Sequence, residues 1–323
     1  MEQLLRVEDL DASYYSYRGT VHALNHVSLS IGRQETLGLV GETGCGKSTV
    51  GLCIVGLIPS PGKIDSGRIL LDGEDLVQKN KEEMREVRRT KLGLVFQDPS
   101  ASLNPVLRIG NQLVEALRVK KRMGKNEAME IAIELLAKVG ITNPKVAADF
   151  PHELSGGMKQ RALIAMALTG DPELLIADEP TSSLDVTLQA QIMELLAELG
   201  KKENMAVLLI THNMGLVSQY CDRVAVMYAG HVVEVGGTRI VLKSPSHPYT
   251  QGLLAAVRLA SKHELASIPG TVPDLINMPQ GCSFASRCSH VMDICTKEKP
   301  ELVHIQETQF AACHLYGTRG QAR

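Results

Sequence analysis

Short apolar runs recur along the chain and read as strands: residues 37–40 (LGLV), 92–96 (LGLVF), 174–177 (LLIA) and 207–210 (VLLI). The third is an unbroken apolar run of the kind found in a parallel sheet covered on both faces. An apolar helix begins at Val50, and another follows the turn Ser155-Gly156-Gly157. Helical spacing covers residues 109–119 and 127–139, with Gly140 as a stop. Asp72-Gly73 after Ile69-Leu70-Leu71 is a hairpin signal. Residues 4–97 thus read as strands around one helix, and helical patterns dominate 102–151. From 156 to 235 helix and strand alternate, ending in the run from Arg223 to Glu234, with no internal repeat or low-complexity tract. The pattern predicts an α/β fold.

Composition narrows the class. At 323 residues the chain exceeds one typical domain and suits a large α/β unit with an extension. Its net charge of −2, with both signs dispersed, lacks the cationic face of a nucleic-acid binder. The most charged stretch, 79–91, mixes Lys, Arg and Glu and reads as a solvated helix face. No run approaches the roughly 20 apolar residues that cross a bilayer, and the start, MEQLLRVEDLDA, has no secretory pattern.

Candidate chemistry enters at two strand ends. After the 37–40 strand come Gly41, Glu42, Thr43, Gly44, Cys45, Gly46, Lys47, Ser48 and Thr49, matching G-x-x-x-x-G-K-[ST] and running into a helix. Strand, loop and helix occur in the order of a P-loop. Glycines let the backbone wrap phosphates, and the amides at the helix N-terminus point inward with the dipole behind them. Lys47 is expected to reach the β- and γ-phosphates, and Ser48 to ligate Mg²⁺. The 174–177 strand delivers Asp178 and Glu179 at its carboxyl end, where open α/β sheets place ligands. Asp178 suits Mg²⁺, and Glu179 suits a general base on the attacking water.

The P-loop, Gln97, the Leu154-Ser155-Gly156-Gly157 turn, the Asp178-Glu179 strand, Ser183-Leu184-Asp185 and His212 occur in one order along the chain. That order resembles an ATPase subunit of the ABC transporters over about residues 4–235. The LSGG turn discriminates, because P-loop kinases and GTPases lack it. The resemblance implies a RecA-like P-loop NTPase core, domain 1–235, with an inserted helical subdomain at about 98–155 that grips membrane partners. It also implies that two such domains face head to tail, so that Ser155, Gly156 and Gly157 clamp the γ-phosphate held by the other subunit's P-loop. Gln97 then joins the Mg²⁺ and water region to the helical subdomain, so that Ser48, Gln97 and Asp178 surround the metal. His212 contacts the γ-phosphate, and Asp185 lies in the loop through which the two sites sense each other. Tyr14 is the best match for the aromatic that stacks on adenine, with Tyr15 and Tyr17 open. Three positions depart from the commonest pattern: Met158 where Gln is usual, Asn213 where an acid follows the His, and Cys45 where Ser is frequent.

Residues 236–323 form an extension. SPSHPYTQ at 244–251, FQDP at 96–99 with SLNP at 102–105, and IPGTVP at 268–273 resemble the dipeptide and oligopeptide importer ATPases. The same branch includes nickel and sugar importers. Its members imply a peripheral subunit on the cytoplasmic face of the cell membrane, a second ATPase subunit, with a heterodimer preferred, two permease subunits and an external binding protein. No nucleic acid partner is expected. Soluble ABC ATPases are the alternative, but they carry two ATPase units or large insertions. Within about 268–323 lie Cys282, Cys288, Cys295 and Cys313, spaced C-x5-C, C-x6-C and C-x17-C, whereas Cys45, Cys53 and Cys221 are scattered. A cytosolic site disfavours disulfides, and four thiolates suit zinc or an iron-sulfur cluster. The missing C-x-x-C knuckles and the resemblance together favour [4Fe-4S] over Zn²⁺, in a small metal-binding extension.

Overall fold

The computed structural model describes residues 2–121, 123–260 and 268–317. Of the expected extension, residues 261–267 and 318–323 lie outside the described residues. The chain divides into two compact units, one formed by the segment through Gly32, Leu37–Gln78 and the chain from Ile210 onward, the other by Arg33–Thr36 and Lys79–Leu209.

The first unit opens with the hairpin β1 (Gln3–Ser16) and β2 (Gly19–Gly32), followed by β3 (Thr36–Val40), α1 (Lys47–Val55), β4 (Gly62–Leu71) and β5 (Glu74–Asp75). An antiparallel sheet in the order β2-β1-β4-β5 results. Asp72 and Gly73 turn β4 into β5 with φ of 52° and 80°, as a two-residue type I′ turn requires.

The second unit holds α2 (Lys81–Thr90), β6 (Leu92–Val95), α3 (Pro99–Ser102), α4 (Ile109–Lys121), α5 (Lys125–Lys138), α6 (Gly156–Leu168), β7 (Leu174–Asp178), α7 (Val186–Lys202) and β8 (Ala206–Ile210). β6 and β7 run parallel, from Leu92 opposite Leu174 to Val95 opposite Ala177, within the order β8-β7-β6. The charged stretch is the exposed face of α2, started by a capping box between Asn80 and Glu83. Leu113, Val114 and Leu117 of α4 are buried, as are Ala128, Ala132, Leu135 and Leu136 of α5. That is the stripe expected of paired amphipathic helices.

The chain then returns to the first unit with α8 (Met214–Tyr220), β9 (Arg223–Tyr228), β10 (His231–Gly237), α9 (Thr238–Lys243), α10 (Pro248–Ala260), β11 (Leu302–Gln306) and β12 (Gln309–Ala312). β9 runs parallel to β3, β10 turns back on β9, and the hairpin β11-β12 adds to the edge of β10. The sequence pattern does not reveal this last addition, because residues 302–312 carry no clear alternation.

β10 itself carries a buried carboxylate. Glu234 is fully buried, and it accepts hydrogen bonds from the Ser246 N–H at 2.8 Å, the His247 N–H at 2.9 Å and Gln309 Nε2 at 2.6 Å. Burial nevertheless pushes its pKa up. His247, also buried, uses Nδ1 to accept from the Tyr249 N–H at 3.0 Å, and burial holds its pKa down to about 3 from an ordinary 6.5. Because the folded pKa is depressed, the stabilising contribution of neutral His247 is complete above pH 6.5 and lost as pH falls toward 3. His231, held to about 4 by burial, has the same sign, whereas Glu234, whose pKa is raised, opposes them. His247→Asn retains an acceptor for the Tyr249 amide and removes one titration. Urea unfolding at pH 7.5 and pH 5 should therefore show a smaller acid loss of stability in the variant than in the wild type; equal losses would remove His247 as a cause.

Candidate functional site

The loop between β3 and α1 is seated tightly. Gly41 has φ of 155°, and a Cβ there would lie 2.2 Å from the Met227 carbonyl oxygen. Gly46 has φ of 103° and caps α1, and its Cβ would lie 2.5 Å from the Ala23 carbonyl oxygen. Neither position admits a side chain, so the backbone alone faces outward from the N-terminus of a nine-residue helix. Lys47 is buried, and its Nζ donates to the Gly41 and Glu42 carbonyls at 2.9 Å each. Thr43, Gly44 and Ser48 are exposed, while Thr49 and Cys45 are buried. Burial raises the Cys45 thiol, against the pull of Lys47, which fits a packing role for this departure from Ser.

In the same unit, Tyr14 is half-buried against Gly62, where a Cβ would come within 2.6 Å of its ring. Tyr15 donates its hydroxyl to Asp65 Oδ1 at 2.6 Å, with Lys63 Nζ 4.6 Å from its ring centre. Tyr17 is 91% exposed. His212 is exposed just beyond Thr211, whose N–H donates to the Leu39 carbonyl at 3.1 Å. Asn213 is the N-cap of α8, accepting from the Gly215 and Leu216 amides, so this second departure supplies a cap. Two residues not expected from the sequence also reach the loop: Tyr249, whose hydroxyl accepts from the Glu42 N–H at 2.9 Å, and Arg287, which pairs with the Glu42 carboxylate. Tyr249 sits inside the 244–251 motif, a signal that was visible; Arg287 carries none.

In the second unit, Glu179 follows β7 with φ of 45°, a left-handed conformation uncommon for a residue with a side chain. Gln97, exposed beyond β6, donates from Nε2 to Glu179 Oε2 at 3.1 Å. Parallel pairing of β6 and β7 is what brings these two strand ends together. Ser155 caps α6 by accepting from the Met158 N–H at 3.4 Å, so the backbone at position 158 serves the turn whatever its side chain. Ser155 and Gly156 are exposed, and a Cβ on the buried Gly157 would lie 3.2 Å from Leu188. Asp185 caps α7 through the Leu188 N–H at 3.0 Å.

A family described as "ABC transporter" matches residues 24–182, and one described as "Oligopeptide/dipeptide transporter, C-terminal region" matches residues 233–295. The oligopeptide transport ATP-binding protein OppD of Bacillus subtilis is 46% identical over 97% of this chain and 89% of its own length. The chain belongs to the ABC transporter family. The dipeptide transport ATP-binding protein DppD of Escherichia coli is 43% identical over 96% of each chain. Among solved structures, a dimeric ATP-binding cassette in a post-hydrolysis state with ADP and Pi is 29% identical, covers 73% of this chain and 99% of its own, and has a TM-score of 0.66. The fold is that of a P-loop ABC ATPase.

The expected metal-binding extension has no metal-holding arrangement to match it among the described residues: no group of three or more His, Cys, Asp and Glu side chains is arranged to hold a metal ion. Cys282, Cys288, Cys295 and Cys313 are instead buried to differing degrees among ordinary side chains, and burial pushes up the thiols of Cys282, Cys288 and Cys313, the last to about 11. The ring nitrogens of His304 and His314 bond to the Glu307 and Glu298 carbonyls, each at 2.9 Å.

The seat of the P-loop gives a direct expectation for this ABC ATPase. Gly41→Ala must displace the loop or strain it, at about 1–3 kcal/mol. Calorimetry should find a lower thermal midpoint that MgATP no longer raises. An unchanged midpoint with a normal MgATP shift would contradict the seating described.

Proposed function

We propose that this ABC ATPase is the ATP-hydrolysing subunit of an importer for dipeptides or oligopeptides, working at the cytoplasmic face of the membrane. The observation that carries the cargo class is the match of residues 233–295 to the oligopeptide/dipeptide C-terminal region, joined to near full-length similarity with peptide transport proteins. No specific feature favours nickel, sugar or a non-transport role. No helix among the described residues is long and apolar enough to cross a membrane. On this reading two permease subunits span the membrane, an external binding protein chooses the cargo, and a second, different ATPase subunit completes the pair.

The residues divide the chemistry as follows. Backbone amides of Gly41–Thr49 and the Lys47 ammonium would hold the phosphates, Ser48, Gln97 and Asp178 would supply oxygen ligands for Mg²⁺, which would neutralise phosphate charge, and Tyr14 would stack on adenine. Glu179 takes a proton from the attacking water, and its bond to Gln97 keeps the carboxylate aimed. His212 steadies the γ-phosphate. The exposed Ser155-Gly156 turn at the start of α6 serves the nucleotide of the partner subunit, and Asp185 links the two sites. Hydrolysis releases the closed pair and resets the permease.

A second reading concerns the tail. Four thiols, Cys282, Cys288, Cys295 and Cys313, fall within one short segment, and on that grouping they are the ligands of a [4Fe-4S] cluster, with Zn²⁺ as the alternative. No step of hydrolysis depends on it.

Affinity purification of the tagged chain from its own membranes should recover two apolar permease proteins and a second ATPase. In that complex Glu179→Gln should leave MgATP affinity near wild type and lower turnover by about 10²–10⁴-fold. Isolation without permeases, or near-normal hydrolysis by the variant, would count against the respective assignments. For the tail, anaerobically purified protein should be brown and contain about four irons; stoichiometric zinc without iron would replace the cluster, and neither metal would dismiss the reading.

A further inference from the structure

The guanidinium of Arg287 is placed as if built for the P-loop. Arg287 ends the short turn Ala285–Arg287, between Cys282 and Cys288, and its side chain is only 5% exposed. Nη1 and Nη2 donate to the two carboxylate oxygens of Glu42 at 2.9 and 3.1 Å, a bidentate fork. Nη1 also donates to the Tyr228 hydroxyl at 3.2 Å, Nη2 to the Ile268 carbonyl at 3.0 Å and Nε to the Pro269 carbonyl at 2.9 Å. Five N–H groups meet five acceptors, a count that no other side chain supplies.

The other end of the pair is equally committed. Glu42 is the second residue of the P-loop, 245 positions away in sequence. Its amide donates to Tyr249, its carbonyl accepts from Lys47, and its carboxylate is held by Arg287. The rings that flank this contact form one cluster: Phe284 lies 5.2 Å from Tyr228 and 5.5 Å from Tyr249, and Tyr228 lies 4.7 Å from Tyr249. Residue 42 therefore takes its conformation from the C-terminal segment, and the amides of Thr43 and Gly44 follow it directly.

We propose that Arg287 is a positioning residue for the P-loop, through which the Cys-bearing tail controls how tightly the chain holds MgATP. The inference rests on the reading of Gly41–Thr49 as the nucleotide loop. Removing either partner leaves a buried or half-buried charge without its counter-ion, and the loop leaves its seat. Coupling between sites is reciprocal, so bound nucleotide must in turn hold the tail in place.

The test uses the full-length chain and MgATP. Arg287→Met and Glu42→Gln should each raise the Kd for MgATP by about 5- to 150-fold, the range of ordinary coupling. The double variant should be no worse than the weaker single one, and Arg287→Lys, with three donors, should fall between. In the assembled transporter KM should rise more than kcat falls. In wild type, MgATP should slow hydrogen exchange at residues 285–288, and Glu42→Gln should abolish that slowing. Wild-type affinity in both single variants, additive losses in the double variant, or exchange at 285–288 indifferent to MgATP would overturn the proposal. If Arg287→Met does not fold, Glu42→Gln and Arg287→Lys decide it. Failure of the wild-type chain to bind MgATP would overturn the nucleotide-loop reading itself.

Discussion

The structure of the first unit depends on one close approach, that of the Gly41–Gly46 turn to the backbone behind it. A phosphate-binding loop must present bare amides, so its glycines lie where side chains are excluded, against the carbonyls of Met227 and Ala23. Those carbonyls are positioned by the end of β9 and the middle of β2. The Gly230 N–H reinforces the seat by donating to the Cys45 carbonyl at 3.0 Å, and the Asn25 N–H ties β2 to the Gly230 carbonyl at 2.9 Å. Three segments distant in sequence thus enclose one turn, and their buried apolar residues stabilise it collectively.

In the second unit, two residues of the proposed nucleotide machinery also serve the fold. Ser155 and Asp185, to which the proposed mechanism assigns nucleotide handling, are each an N-cap satisfying an amide of the helix it begins. Asn213 does the same for α8 in the first unit. A cap requires a short polar side chain at a helix start, and a helix start is where amides are available to an anion. Glu179 is different: its left-handed backbone brings no local stability, and strain of this kind is characteristic of functional positions.

The tail is rich in cysteine, yet what ties it to the rest of the unit is apolar and ionic. Phe284 is buried between Tyr228 and Tyr249, β12 pairs with β10, and Gln309 reaches the buried Glu234. None of these has a spacing that identifies it. A lone Phe, a short polar hairpin and one Arg in a turn look alike in any loop, because their partners lie tens to hundreds of positions away.

The strands at 37–40, 92–95, 174–177 and 207–210, the helices α4 and α5, the Asp72-Gly73 turn and the P-loop were legible because each is a local matter of periodicity, turn chemistry and glycine placement. Family membership followed from the same local motifs in their order. The Gln97–Glu179 contact, the helix-capping roles of Ser155, Asp185 and Asn213, and the Arg287–Glu42 pair were decided only in three dimensions. Sequence spacing carries information about neighbours within a few residues. Which buried charge finds which counter-ion across 245 residues is settled by the sheet that folds between them.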